Sequence, residues 1–427
     1  MPAPVTGAHP AVRPRLILDG PGREGRADYE RRGGYRPGLD GQDLVTAVTE
    51  AELRGRGGAA FPLGVKLGAV AGRAGEHVVV ANGEEGEPAS VKDRWLLRTR
   101  PHLVIDGALR AASAVAADTV YVYVSDPAAA RSVRAALAEL GGLPAGVEVW
   151  EAEPGYVAGE ETAAVNAING RPAKPSDKPP RPFEEGVRGL PTLVSNVETL
   201  ANLPGIATGA DPGTGTFLMT LGGACAQPGL YEVPFGITLG EAAESLGGLG
   251  GAPRGYLMGG YFAGLLNGRR GHGLPLDYDV MAAEGSGLGC GSVTVLGPAD
   301  CPAGVAAQLL AYFARENSGQ CGSCFNGTAA MAGVAAALAQ GFAGDPEIER
   351  LHSWCQSLPG RGACGTLDGA VNIARTLLRE FPADVDAHLR GRCARCAGTD
   401  FAALTVPFAA APDAITPDLV NTEEAVL

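Results

Sequence analysis

The sequence predicts three consecutive architectures: a parallel α/β region, a small α+β module, and an all-α four-helix bundle rich in cysteine. Three observations predict them. Apolar runs at 77–81, 119–124 and 147–150 alternate with helix-like stretches near 101–117 and 127–140. That rhythm belongs to a parallel sheet with covering helices. A β-rich segment then offers a hairpin, one helix and a closing strand at 292–296. From residue 302 the apolar period turns to 3.6, with Val305, Leu309 and Phe313 on one face beside Ala306 and Leu310.

Bulk properties narrow the class. A chain of 427 residues is long enough for more than one domain, each with its own core. Hydrophobic content of 45% against 19% charge marks a globular chain. A net charge of −13 argues against nucleic acid, whose recognition needs a basic footprint. No uninterrupted apolar run reaches the roughly 18 residues of a membrane span. The opening Met1-Pro-Ala-Pro-Val-Thr-Gly lacks a secretory pattern, so a cytoplasmic chain without direct membrane insertion is expected. Nine cysteines form an odd set concentrated toward the C-terminus, which favours metal or cluster ligation over a disulfide framework.

The elements follow in order. Residues 1–40 scatter Pro, Gly and Arg without periodicity and read as an arm, with the α/β region over 41–205. Within it, 174–192 is rich in Pro and charge, an ordered loop over a site or a linker. The α+β module spans 206–300, with strands at 217–223 and 228–234 and a helix at 238–246. The helical domain spans 301–400, its later helices at 326–340, at 346–358, and from a cap at Asp368 through Ile373, Leu377 and Phe381. Residues 401–427 show no pattern and read as a tail.

Four constellations carry chemistry. Cys321-Gly-Ser-Cys324 precedes a helical run, and Cys364 stands alone about forty residues later; that spacing suits iron–sulfur ligation. In Arg54-Gly-Arg-Gly-Gly-Ala-Ala-Phe61, glycines Gly55, Gly57 and Gly58 let backbone N–H groups converge on an anion, with Lys66 placing a charge on a phosphate. An ordinary glycine loop is the alternative. Asn82-Gly-Glu84-Glu85-Gly-Glu87 follows the first strand, and Gly155-Tyr156-Val-Ala-Gly159-Glu160-Glu161 follows the strand ending at Trp150. Carboxyl ends of parallel strands are where such sheets bind ligands, so the two loops and the glycine cradle point to a dinucleotide or flavin cleft.

These motifs resemble the FMN- and NADH-binding subunit of respiratory complex I and its relatives in NAD-linked hydrogenases and formate dehydrogenases. The resemblance rests on Arg56-Gly-Gly-Ala-Ala-Phe-Pro, on Asn82 through Arg94 with Pro101-His102, and on Gly159-Glu-Glu-Thr162, Lys178-Pro-Pro180 and Ser195-Asn-Val-Glu-Thr199, in that order from about 50 to 390. It implies a Rossmann-like FMN-binding domain, a β-grasp (ubiquitin-like) domain and a helical [4Fe–4S] domain. Gly55, Gly57, Gly58 and Lys66 would hold the FMN phosphate, and Asn82, Glu84 and Glu85 would contact flavin or ribityl groups. Tyr156, Gly159, Glu160, Ser195 and Asn196 would close the pocket. Glu87 and Glu161 match positions that meet NADH, and Phe61 matches an aromatic near it. The activity implied is an NAD(P)H dehydrogenase passing electrons through FMN and the cluster to a partner, such as a ferredoxin-like or other redox subunit.

Three positions depart from the family pattern. Arg181 replaces an aromatic, leaving three options: guanidinium stacking, a contact to an NADPH phosphate, or plain exposure, with Phe183 as a stand-in ring. Leu67 replaces a common Trp, a packing change. Ser318 stands where the first cluster cysteine belongs, leaving Cys321, Cys324 and Cys364 one thiolate short. Cys393 is the expected replacement, with Cys396 or the Ser318 hydroxyl as alternatives. A zinc site joining Cys321, Cys324, Cys393 and Cys396 is a rival reading. Cys225, Cys290, Cys301 and Cys355 read as small core residues. Two further functions stay open: an electron-transfer subunit without a nicotinamide site, and a zinc-stabilised scaffold.

Overall fold

The computed structural model describes residues 5–18, 22–142, 145–391, 393–396, 399–401, 403, 405–410 and 416. Most of the expected tail therefore lies outside the described residues. Among the described residues, ten strands form two sheets: β1 (Val5–Ala8), β2 (His77–Asn82), β3 (Ala117–Val124), β4 (Gly146–Glu151), β5 (Thr192–Asn196), β6 (Thr216–Gly223), β7 (Gly229–Pro234), β8 (Gly255–Met258), β9 (Leu265–Asn267) and β10 (Ser292–Leu296).

The first sheet has the order β4-β3-β2-β5 and is parallel throughout. Val78, Val79 and Val80 are wholly buried because helices cover both faces of this central strand. Helix Pro127–Leu140 shows the local logic. Asp126 accepts from Ala129 N–H, Pro127 opens the first turn, and Gly141 closes the helix at φ 71°. The chain lays down β2, β3 and β4 outward in one direction, then returns to place β5 on the other side of β2. The order reverses at β2/β5, and a crevice opens at the carboxyl ends there.

The second sheet has the order β1-β7-β6-β10-β8-β9. The predicted hairpin is β6/β7, antiparallel, and the predicted helix is Leu239–Ser245, fixed by a Thr238/Glu241 capping box. Strand β10 lies parallel to β6 and antiparallel to β8.

The first forty residues are more than an arm. Strand β1 pairs in parallel with β7, while Leu16, Ile17 and Tyr29 are buried in the core of the α/β region. The physical reason is Glu232 on β7, which is fully buried. Its Oε2 accepts the N–H groups of Arg15, Leu16 and Ile17 at 2.9, 2.8 and 3.2 Å, and its Oε1 accepts from the Thr216 hydroxyl. A carboxylate out of water needs such partners, and the N-terminal strap supplies them.

Helices Pro302–Glu316, Gly322–Ala339, Asp345–Ser357 and Thr366–Glu380 form the expected bundle, and a fifth, Pro382–Leu389, follows directly. Helix Gly322–Ala339 has the length and the mean hydropathy, 1.2, of a membrane span. Met331, Val334 and Leu338 nevertheless pack into the bundle core, the ordinary arrangement of a core helix.

Candidate functional site

Three loops meet at the β2/β5 crevice. Asn82, ending β2, donates from Nδ2 to Gly159 O at 2.8 Å and accepts Glu84 N–H at 3.2 Å. Glu84 is buried, and its carboxylate accepts from Gly155 N–H and from the Ser125 hydroxyl at the end of β3. Burial raises the pKa of this carboxyl, with those hydrogen bonds opposing the shift. The loops touch backbone to backbone, and glycine makes that possible. A Cβ on Gly86 would sit 2.6 Å from Gly155 O, and one on Gly159 would sit 2.9 Å from Glu84 O.

The glycine loop lies against the same crevice. Gly57 rests on Asn196, where a Cβ would fall 3.1 Å from Asn196 Cβ, and Gly58 takes φ 123°. Arg56 N–H donates to Thr199 Oγ1 at 2.8 Å, while its guanidinium lies 4.6 Å from the Phe235 ring centroid, tying the loop to the second sheet's domain. Lys66 Nζ reaches Glu161 Oε2 at 3.1 Å and Val194 O at 3.3 Å. Lys178 Nζ meets Glu160 at 2.6 Å and Glu161 at 3.1 Å. Burial would raise the Glu161 carboxyl, but the two lysines outweigh it and hold it below its ordinary value. Glu160 caps helix Glu161–Ile168 through Thr162 and Ala163 N–H. Phe61 stands at the rim, 46% exposed. The Ser195 hydroxyl makes no hydrogen bond within the described residues.

Two expected ligand residues are also held by the protein's own groups. Both Glu85 oxygens are taken, by Ser90 Oγ and Asp93 N–H on one side and by Arg94 N–H and Nε–H on the other. Asn196 donates to Asp93 Oδ2 at 2.7 Å and accepts from Glu198 N–H and Lys92 Nζ. Glu85 therefore fixes the start of helix Lys92–Thr99, and Asn196 supports the glycine loop from behind.

Glu87 faces the second sheet's domain. Its carboxylate accepts Tyr261 N–H at 3.0 Å and Ala89 N–H at 3.2 Å, and it nests where Gly260 has no side chain. Enclosure pushes its pKa from 4.5 up to about 7, only partly offset by those N–H groups. The folded chain therefore keeps a proton between pH 4.5 and 7 that the unfolded chain releases. Stability contributed at this site is present at low pH and declines as pH rises through that window. Glu87→Gln is expected to flatten the decline in urea midpoints measured from pH 5 to 7.5; parallel profiles for variant and wild type would contradict it.

Beyond Glu87 lies the cysteine side. The Tyr156 ring meets Tyr312 and Phe313 edge-on, with centroids at 5.6 and 5.4 Å, and Tyr312 meets Tyr261 at 5.0 Å. Burial raises the Tyr156 phenol far above its ordinary value, with the Glu87 carboxylate adding to the shift. Cys321 caps helix Gly322–Ala339, Cys324 lies in its first turn, and Cys321 Sγ accepts Ala363 N–H at 3.3 Å, next to Cys364. Burial pushes the Cys324 thiol up to about 12, with Cys364 and Cys321 adding to the shift. Ser318 lies just before them, its carbonyl accepting from Lys174 Nζ at 2.9 Å.

Cys393, expected as their fourth member, is elsewhere. Its Sγ lies with Cys301, His388 and Cys396, so neither the Cys393 replacement nor the Cys321–Cys324–Cys393–Cys396 zinc set is formed. The reason is chain direction: helix Pro382–Leu389 carries the following segment back to the start of helix Pro302–Glu316, where Cys301 sits. Cys301 is thus no mere core residue. Phe183 packs into the α/β core under the Arg73 guanidinium, 5.4 Å from its centroid, which removes it as a stand-in for the absent aromatic. Arg181 is exposed, and its guanidinium makes no hydrogen bond or ion pair within the described residues.

The residues present fit both implied groups: a glycine cradle with a lysine for a phosphate-bearing flavin, and for a cluster two thiols at the start of helix Gly322–Ala339 with Cys364 just before helix Thr366–Glu380. Fold and site together define a flavin- and iron–sulfur-dependent oxidoreductase component. Residues 48–205 match the Nuo51 FMN-binding domain, and residues 304–388 match the NADH-ubiquinone oxidoreductase-F iron-sulfur binding region. The chain is 34% identical over 402 residues to the F 2 subunit of NADH-quinone oxidoreductase from Rhizobium meliloti (strain 1021), covering 86% of this chain and 94% of that one. It is 32% identical over 407 residues to the F subunit of NADH-quinone oxidoreductase from Escherichia coli (strain K12), covering 85% and 89%. It belongs to the family of F subunits of NADH-quinone oxidoreductase. Among solved structures, a chain of the NAD+-reducing [NiFe]-hydrogenase in the H2-reduced state superposes with a TM-score of 0.74 at 30% identity. That match covers 81% of this chain and spans 62% of the hydrogenase chain.

Proposed function

We propose that this chain passes electrons from NADH or NADPH through FMN to a [4Fe–4S] cluster and on to a partner redox subunit, such as a ferredoxin-like protein. One observation carries the reading: Tyr156 belongs to a loop of the flavin crevice, yet packs on Tyr312 and Phe313 of the first helix of the cysteine-bearing bundle. The hydride-accepting cleft and the thiols share a wall. FMN, when bound, supplies the conversion of an electron pair into single electrons. In net terms the nucleotide gives up two electrons and a proton, and the electrons leave singly to two one-electron acceptors.

The chain's own residues divide the work. Gly55, Gly57, Gly58 and Lys66 hold the flavin phosphate, with Lys66 turning from Glu161 toward it. Asn82, Glu84, Gly159 and Glu160 fix the loops, and Ser195 and Tyr156 bound the ring pocket. Glu87 and Glu161 meet the nicotinamide nucleotide, with Phe61 as an apolar lip. Cys321, Cys324 and Cys364 hold the cluster. The same proposal takes 41–205 as a Rossmann-like unit, 206–300 as a β-grasp unit and 301–400 as the cluster-binding bundle, in a cytoplasmic protein. Arg181, with its guanidinium unengaged, favours a nucleotide bearing an extra phosphate.

The test is anaerobic mixing of flavin-loaded protein with NADH and, separately, NADPH. Bleaching of the flavin band followed by ferredoxin reduction is expected. A flavin that stays oxidised with both nucleotides sinks the reading. Arg181→Ala should raise KM for NADPH and leave KM for NADH unchanged; equal effects on both would remove the phosphate role.

A further inference from the structure

A second sulfur-rich cluster stands apart from the flavin-side thiols. Cys301, His388, Cys393 and Cys396 each present one ligand atom, and all four atoms lie within 4.8 Å of one another. Cys301 Sγ is 3.4 Å from His388 Nε2, and that nitrogen is 3.5 Å from Cys396 Sγ. A tetrahedral zinc ion, with Zn–S of about 2.3 Å and Zn–N of about 2.0 Å, places its sulfur and nitrogen ligands about 3.5 Å apart. The groups are already spaced for one ion.

The surroundings fix the chemistry of each ligand. His388 Nδ1 lies 2.6 Å from Asp384 O, and a carbonyl only accepts, so Nδ1 carries the proton and Nε2 offers its lone pair to the thiols. Cys393 and Cys396 belong to one turn, closed by Cys396 N–H donating to Cys393 O at 3.1 Å. Gly304 admits that turn, because a Cβ there would fall 3.0 Å from Cys396 Sγ. Cys301, His388 and Cys396 are buried, and a cavity of about 240 Å³ lined by Asp300, Cys301, Arg395 and Cys396 gives an ion a way in. Packing alone gives no reason to gather three thiols around one bare imidazole nitrogen.

We propose that Cys301, His388, Cys393 and Cys396 bind a single zinc ion that clasps the start of the helical domain to the segment after its last helix. Three soft thiolates and an imidazole suit zinc, and four protein ligands leave no open position, so the site is structural. Ligand atoms this close enclose one ion, which separates the site from a multi-iron cluster. The proposal does not rest on the flavin reading. Cys301, Cys393 and Cys396 fall outside the matched iron–sulfur region, 304–388, and His388 is its last residue.

The experiment measures zinc and iron in the full-length chain purified without oxygen. About one tightly held zinc per chain is expected, surviving dialysis. Cys396→Ser and His388→Ala should lose zinc while keeping iron and flavin, and Cys321→Ala should lose iron while keeping zinc and flavin. Wild-type protein in which Co2+ replaces zinc should show the visible bands of a tetrahedral sulfur-rich site, a readout that holds even if a variant fails to fold. Wild type without zinc, or iron leaving with Cys393→Ser, overturns the proposal.

Discussion

Cys321→Ala is expected to remove the iron from this chain and leave the flavin bound. Cys321 at the N-cap and Cys324 in the first turn open helix Gly322–Ala339, where exposed N–H groups favour thiolate and a negatively charged cluster. Ala363 N–H donates to Cys321 Sγ and brings Cys364 alongside. With three thiolates in the set, loss of one leaves two, too few to retain about four irons. The companion comparison is Cys393→Ala against Ser318→Ala. Since Cys393 lies with Cys301, its loss should spare the iron, whereas Ser318→Ala should lower iron content and Ser318→Cys should raise it. Iron content by mass spectrometry decides, and iron that depends on Cys393 alone would overturn this assignment.

Lys92→Met should be the most damaging single change to stability, costing about 3–5 kcal/mol. Lys92 has no solvent exposure. Its ammonium meets Asp93 at 2.6 Å, Glu198 at 3.1 Å and Asn196 at 3.3 Å. Burial disfavours its charge, but Asp93, Glu198 and Glu85 more than compensate and raise its pKa. Methionine matches the length but strands two buried carboxylates, and Glu198 also accepts Leu218 N–H at the foot of β6. The loss therefore spreads from the crevice to the second sheet. Urea unfolding of wild type and variant measures it; a difference within about 1 kcal/mol would show that water reaches these groups.

Much of this was legible in the residues. Valine-rich β2 and β3 announce a parallel sheet because strands covered on both faces are apolar throughout, and the helical period from residue 302 announces the bundle. Other features left no local signal. Strand β1 is four residues long and partly exposed, and its partner β7 lies more than two hundred residues away. Strands β8 and β9 are short and flanked by glycine, so no alternation betrays them. The Cys301–His388 pairing joins residues 87 positions apart, and neither residue is diagnostic alone. Glu85 and Glu84 look alike in the motif, yet one caps a helix and the other joins two strand ends.

The strap over β7 bears on how this protein is handled. Trimming the chain up to residue 17 looks harmless, since among the described residues that stretch contains only one short strand. Yet that cut would take away three of the amides that quiet the Glu232 charge, along with the edge partner of β7. A cosmetic shortening at the front would thus be felt as a wound in the middle of the molecule.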